Sequence, residues 1–324
     1  MIRFATVGHL ARTLGCPPDH LRSVLRSADR QYVEYDLIDP TKPGKVRLVV
    51  CARGPLRQLQ RRLYSRVLLP SLPRSQASHG GVPGRNVLTN LRPHLGNRFV
   101  FKADIAQFYP GIHHTRVRRL FEQLGCPTDA ARCITRLCTY RFCLEQGLVT
   151  SPILADTLLA EADVRIGSAC RAMNLTYTRF VDDLFVSGNF DLDGSGVPGL
   201  VEAVLRENGF TVNREKMNCK PAEDGFTITN LRFHRGHPDV SADYATELER
   251  HIDDAHALAR GERPADGLLT ECQLWGRARY VGWVNPGRWP RLKNRLSGID
   301  WTRVYNTAVG YGLIGRRKAL VPRV

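Results

Sequence analysis

Residues 178–188 read TRFVDDLFVSG, which sets Asp182 and Asp183 side by side between short runs of β-branched and aromatic residues. Two adjacent carboxylates repel each other, and burying either one alone is expensive. Two readings account for the pair. Asp is common in tight turns, and two exposed carboxylates on a hairpin cost little. Alternatively, a divalent cation sits there and neutralises both. Working outward, Asp104 closes the apolar strand FVFKAD (99–104) and precedes IAQFYPGI. A lone acid at a strand end is ordinarily a turn or cap residue. Together with the Asp-Asp hairpin, it gives three carboxylates that could converge from two neighbouring strands. Such a cage suits Mg²⁺, a hard ion that takes oxygen ligands and keeps some of its water. Two such ions can activate a 3′-hydroxyl and neutralise a leaving pyrophosphate.

The bulk composition narrows the partners. With 324 residues, 43% of them hydrophobic, the chain can build a real core and two or three subdomains. No run approaches ~18 consecutive apolar residues, so no membrane span is expected. The N-terminus MIRFATVGHLARTLG lacks the apolar segment and cleavage site of a secretory signal. The nine cysteines include no CxxC pair, and Cys133, Cys138 and Cys143, spaced by five, suit neither a zinc knuckle nor one helix face. They read as reduced thiols of a cytoplasmic protein. The net charge of +16 makes a polyanion the expected partner. The positive charge is also clustered. Residues 41–66 carry eight Lys/Arg and no acid, and residues 276–324 carry eleven against the single acid Asp300. All four tryptophans (Trp275, Trp283, Trp289 and Trp301) lie in or beside that second stretch. Basic side chains interleaved with aromatics suit phosphate contact and base stacking, so Arg277, Arg279, Arg288, Arg291, Lys293 and Arg295 are candidate nucleic-acid contacts. The competing reading is a solvated basic face over tryptophans that fill a small helical core.

Along the chain, residues 6–27 predict two short helices broken at Cys16-Pro17-Pro18. YVEYDLIDPTKPGKVRLVVCA predicts a hairpin turning at Pro43-Gly44. In PLRQLQRRLYSRVLLPSL, Leu56, Leu59, Leu63 and Val67 share one helix face. HGGVPGRNVLTNLRPHLG reads as a shaped loop leading into a helix. Helical stretches follow at 114–143 and 151–173, and a further helix near 197–208. Strands are expected at FTVN and ITNLRFHRG, and a helical, basic pattern runs from about Gly236. Helices and strands mix without a βαβα rhythm, which places the chain in the α+β class.

Six segments now line up. FKADIAQFYPGI resembles motif A of reverse transcriptases, and FVDD resembles their Tyr/Phe-x-Asp-Asp box. EQGLVTSPILAD is similar to the intervening Pro-Gln-Gly…Thr-Ser-Pro motif, with Glu145 where proline is usual. KPGKVRLVV resembles the basic fingers hairpin, VNREK the lysine-bearing motif D, and ITNLRF the primer-grip strand. They fall in family order over roughly Tyr32 to Phe233. Within the family, NLRPH (Asn90 to His94) is similar to the Asn-Ala-x-x-His element of bacterial retron reverse transcriptases, with Leu91 for the alanine. The retron Val-Thr-Gly element appears as Ile228-Thr229-Asn230, without its glycine. No maturase or endonuclease extension is expected.

The resemblance implies a right-hand polymerase. Fingers would span 1–100, an RRM-like palm with an inserted helical fingers segment 101–235, and a basic, RNA-binding helical thumb 236–324. It implies Asp104 and Asp182 as principal ligands of two Mg²⁺ ions, Asp183 as an auxiliary one, and the Ile105 carbonyl as a further donor. Arg47 would grip the incoming triphosphate, a task suited to a fork of donors; otherwise it is a solvated arginine. Gln146 and Gly147 would lie beside the nucleotide and template; without the motif they are turn residues. Tyr109 would stand against the sugar 2′ position, or else pack the core. Lys216 would protonate pyrophosphate, or else be a surface lysine. The expected activity is RNA-directed DNA synthesis from dNTPs on a structured noncoding RNA. A branched RNA–DNA product and an effector protein in anti-phage defence would follow. The alternatives are a defence-associated reverse transcriptase of another subclass and a non-catalytic RNA-binding scaffold.

Overall fold

The computed structural model describes residues 6–38, 46–221, 227–234, 237–264 and 269–313. It is an α+β structure that divides into two compact units, Met1–Pro221 and Ala222–Val324.

In the first unit, α1 (Val7–Thr13) starts on Thr6, whose hydroxyl accepts the His9 N–H, and α2 (Pro18–Arg26) begins at the expected proline break. Strands β1 (Tyr32–Ile38) and β2 (Val46–Ala52) pair antiparallel from Tyr32↔Ala52 to Ile38↔Val46. The Pro43-Gly44 turn lies outside the described residues. Helix α3 (Gly54–Leu63) runs through a π-helical turn, Tyr64–Leu68, into the short α4 (Leu69–Ser71). Leu56, Leu59, Leu63 and Val67 are all buried, so the expected apolar face exists. The shaped loop ends at α5 (Val87–Leu91), where Asn86 and Thr89 cap each other reciprocally.

Strand β3 (Phe99–Asp104) is followed by α6 (His114–Gln123), α7 (Thr128–Cys138) and the long α8 (Ser151–Ala172). Helix α8 buries residues on several faces, among them Ile153, Leu154, Leu159 and Ile166 but also Asp156 and Asp163. Strands β4 (Thr176–Phe180) and β5 (Asp183–Gly188) form the Asp-Asp hairpin, and α9 (Val197–Glu207) follows. With β6 (Asn218–Pro221) these strands make one antiparallel sheet in the order β4-β5-β3-β6. FTVN does not form the expected strand: Val212 makes an isolated bridge to Ile105, and the ladder on β3 is taken up by β6.

In the second unit, β7 (Leu231–His234) pairs with β8 (His237–Val240). The primer-grip-like strand therefore belongs with the C-terminal unit, because its ladder among the described residues is with β8 and not with the four-stranded sheet. Thr229 and Asn230 both take positive φ, 51° and 62°. Asn tolerates that left-handed conformation, so the absent glycine leaves the turn intact. Helices α10 (Ala242–Ala259), α11 (Glu271–Val284), α12 (Trp289–Ser297) and α13 (Trp301–Gly310) complete the unit around Leu248, Ile252, Leu274, Val281 and Leu296. The basic residues beyond 313 lie outside the described residues. Among the described residues, no helix is long and apolar enough to cross a membrane.

Candidate active site

The β3–β5 register sets the site. Asp104, the last residue of β3, stands opposite Asp183, the first of β5, so both side chains leave the same face of the sheet. Asp182 occupies the turn between β4 and β5, and its carbonyl accepts the Ile105 N–H at 3.0 Å. The Asp104 carbonyl accepts the Asn213 N–H at 2.8 Å, which ties the VNREK segment to the same strand end. The three carboxylates thus share one end of the sheet.

Their electrostatics follow from that crowding. Burial raises the Asp182 carboxyl above its ordinary range, and the charges of Asp183 and Asp104 raise it further, against the lowering effect of Lys216. Two lysines supply counter-charge. Lys216 Nζ lies 2.8 Å from Asp104 Oδ2, and Lys102 Nζ lies 2.7 Å from Asp183 Oδ1. Lys102 also stands 5.5 Å from the centre of the Phe185 ring, its partner across the ladder. Sequence reasoning missed Lys102, although strand alternation puts it on the same face as Asp104. Among the described residues, no group of three His, Cys, Asp or Glu side chains gathers within range of one metal ion. The donor set nevertheless fits a hard divalent ion: it is all oxygen, and its mutual repulsion is what such a cation relieves.

Tyr109 is partly buried against Phe108, with ring centroids 5.0 Å apart. Burial first, and then the negative charge of Asp182, push its hydroxyl up to about 12. Gln146 and Gly147 meet the β1–β2 hairpin: Val50 N–H donates to the Gln146 carbonyl at 2.8 Å. Gly147 takes φ +103°, and a Cβ there would lie 2.6 Å from Val49 Cγ1 and 2.7 Å from the Val50 carbonyl oxygen. The close approach that demands glycine is thus to β2. Arg47 lies on that strand, exposed, opposite Leu37. Glu145 is raised by burial and by Glu34, which Arg141 holds at 2.8 Å.

In the NLRPH segment Asn90, Leu91 and His94 are buried, whereas Arg92 and Pro93 are exposed. His94 is fully buried, its Nδ1 2.6 Å from Ser187 Oγ and its Nε2 2.7 Å from Thr178 Oγ1. Burial holds its imidazole down at about 3, so it bridges β4 and β5 as a neutral ring. Asn97 adds donors to Ser187 and Thr176. Sequence reasoning also missed Arg179, Asp156 and Asp163, a buried ion cluster behind the Asp-Asp turn.

The candidate RNA contacts of the second unit divide. Arg277 bonds Glu247 at 2.8 Å, Arg288 bonds the buried Asp239 at 2.6 Å, and Arg295 holds both Glu249 and Asp253. Arg291 lies 3.7 Å from Glu249 but is largely exposed. Arg279 sits over the Trp275 ring at 5.7 Å, and Lys293 is exposed; neither has a carboxylate partner among the described residues.

Residues 38–232 match the family model described as reverse transcriptase (RNA-dependent DNA polymerase). The chain is 32% identical over 289 residues to the retron Mx65 reverse transcriptase of Myxococcus xanthus, covering 83% of this chain and 65% of that protein. It is 24% identical over 313 residues to the retron Ec48 reverse transcriptase of Escherichia coli, covering 91% and 76%. It is 27% identical over 211 residues to the retron Ec86 reverse transcriptase of the same species, covering 65% and 66%. The matches therefore span roughly two thirds of the length of Mx65 and Ec86 and three quarters of that of Ec48.

Proposed function

The chain belongs to the reverse transcriptases, of the bacterial retron type, and on that premise we propose that it copies a structured noncoding RNA into DNA at the sheet end carrying Asp104, Asp182 and Asp183. The observation that carries this reading is the cross-strand register of Asp104 with Asp183, beside Asp182 in the adjoining turn. Residues 1–100 act as fingers and 101–235 as palm with its inserted helical segment, whose last strand, β7, is carried by the C-terminal unit, and 236–324 act as an RNA-binding thumb.

The three aspartates and the Ile105 carbonyl would hold two Mg²⁺ ions, whose chemistry is to lower the pKa of a primer hydroxyl and stabilise the leaving pyrophosphate. Until then Lys102 and Lys216 keep two of the carboxylates compensated, which lets the acidic end fold without an ion. Lys216, on a polar segment reaching from Asn213 to the Asp104 carboxylate, can deliver a proton to pyrophosphate. The Tyr109 ring bars a 2′-hydroxyl by bulk, since a rigid wall rejects an extra group where an added hydrogen bond cannot. Arg47 grips the triphosphate, and Gln146 faces the nascent base pair from a loop that Gly147 locks onto β2. The product is a branched RNA–DNA molecule primed from a 2′-hydroxyl, made in the cytoplasm and serving anti-phage defence.

The test is to purify the protein from its host and sequence the bound nucleic acid before and after RNase. A branched RNA–DNA species is the expected result. Unbranched DNA would assign another reverse transcriptase class, and RNA alone would make the chain a scaffold.

A further inference from the structure

The turn that presents Asp182 is strained. Val181 takes φ +59°, a left-handed conformation that a β-branched side chain resists. Such a conformation persists where its surroundings over-determine it, and here three contacts do so. The N–H of Ile105, the residue after β3, holds the Asp182 carbonyl at 3.0 Å. Gly80 lies directly against the turn: a Cβ there would come 2.5 Å from Val181 Cγ2 and 2.6 Å from its nitrogen. Arg179 Nη1 donates to the Val181 carbonyl at 2.8 Å.

Arg179 is the contact with the longest reach. Its side chain is 1% exposed, and its fork is fully engaged. Nε and Nη2 meet the two Asp163 oxygens at 2.9 and 2.7 Å, and Nη2 also meets Asp156 Oδ1 at 2.7 Å. Tyr177 donates its hydroxyl to Asp163 Oδ1 at 2.7 Å. Both acids lie on α8, so one guanidinium ties that helix to the turn. The backbone of Arg179 is fixed as well, with its N–H on the Ala77 carbonyl and its carbonyl on the His79 N–H, each at 2.7 Å. A buried ion cluster is a poor source of stability, because desolvation offsets the attraction and apolar packing serves as well. What it supplies is fixed geometry, and five donors in a rigid plane suit that task where an ammonium does not.

We infer that Arg179 is a positioning residue for the carboxylate site: through the Val181 carbonyl it fixes the turn so that Asp182 stands where the metal ions must be bound. This rests on the function proposed above. The test compares wild type with Arg179→Lys, which keeps the charge for Asp156 and Asp163 but cannot also span to Val181. His94 and Asn97 hold the hairpin from its other face, so the variant is expected to fold. Three quantities are read: RNA affinity, Mn²⁺ affinity by electron paramagnetic resonance without nucleotide, and kcat and KM for a deoxynucleotide on an RNA template. The expected result is RNA affinity within about twofold of wild type, Mn²⁺ affinity weakened at least about fivefold, and kcat lowered by about 10–100-fold, as displacement of a reacting group by about 1 Å demands. A lower melting temperature with wild-type kcat and Mn²⁺ affinity would overturn the inference and leave Arg179 as packing. If Arg179→Lys does not fold, Asp156→Asn, which spares the Asp163 fork, decides by the same Mn²⁺ measurement: weakened binding supports the inference and unchanged binding overturns it. Absence of DNA synthesis by the wild type would instead count against the proposed function.

Discussion

At the end of the four-stranded sheet, Asp104 and Asp183 face each other with Lys216 and Lys102 as counter-charges, and Asp182 beside them is pushed toward protonation. In the C-terminal unit the balance runs the other way. Arg277, Arg288 and Arg295 each rest on carboxylates of their own unit. The first region concentrates like charge that calls for a cation from outside. The second, basic by composition, spends much of its charge on internal pairs. A local count of arginines does not record such internal pairs, whereas a strand end and a hairpin turn put the three acids at one end of the sheet.

The comparison breaks most visibly at Arg288. Asp239, its partner, is wholly buried, with Arg232 more distant at 3.8 Å. Arg288→Ala is expected to cost about 2–3 kcal/mol in urea unfolding, because a buried carboxylate loses its close partner. If instead stability is unchanged and RNA affinity collapses, Arg288 is an RNA contact and the pairing is incidental.

The first unit answers to pH through His94. Its folded value is about 3 against an ordinary value of 6.5. The unfolded chain takes up the proton as pH falls through about 6.5, and the folded one does not until about 3. The stabilisation is thus complete above pH 6.5 and declines below it, by at most about 1.4 kcal/mol per pH unit. His79, held down at about 4, acts in the same direction. Unfolding midpoints at pH 7, 6 and 5 should show a shallower dependence in His94→Gln than in wild type. Parallel slopes would mean that His94 is not the buried neutral bridge.

Tyr109 sharpens the contrast at the substrate. Tyr109→Ala should lower discrimination against ribonucleotides by about tenfold, or roughly 1.4 kcal/mol, in kcat/KM for single incorporations. Tyr109→Phe should keep most of it, because the barrier is the ring. Wild-type selectivity in the alanine variant would reduce Tyr109 to packing.

The smallest effect is expected where charge is exposed. Replacing Arg279 and Lys293 together by alanine should change stability by no more than about 0.5 kcal/mol. It should flatten the salt dependence of RNA binding by a slope of about 1–2, as fewer phosphates are neutralised. An unchanged slope would place the RNA elsewhere.

What could be read from the sequence was local or periodic. The buried face of α3, the proline break before α2 and the span of α8 follow from spacing and punctuation within one segment. Asp104, Asp182 and Asp183 were legible because strand ends and a hairpin place them. The ion pairs were not. Arg288 and Asp239 are 49 residues apart and Lys216 and Asp104 are 112, and no local pattern records such a meeting. FTVN had strand composition, yet among the described residues it pairs only at the end of β3, through one bridge at Ile105, while β6 pairs with Phe99–Lys102. Arg179, three residues before Asp182, is paired with acids that arrive from α8, and nothing in its own segment records them.

The most direct test is incorporation of a single deoxynucleotide on an RNA template with Mg²⁺, comparing wild type with Asp182→Asn and measuring RNA affinity and melting temperature in parallel. Removing one charge from the cluster relieves repulsion, so the variant should melt at or above the wild-type temperature and bind RNA within about twofold. Its incorporation rate should fall at least about a thousandfold, roughly 4 kcal/mol of transition-state stabilisation. A folded Asp182→Asn protein that still extends the primer at near the wild-type rate would contradict the assignment of this sheet end as the polymerase centre.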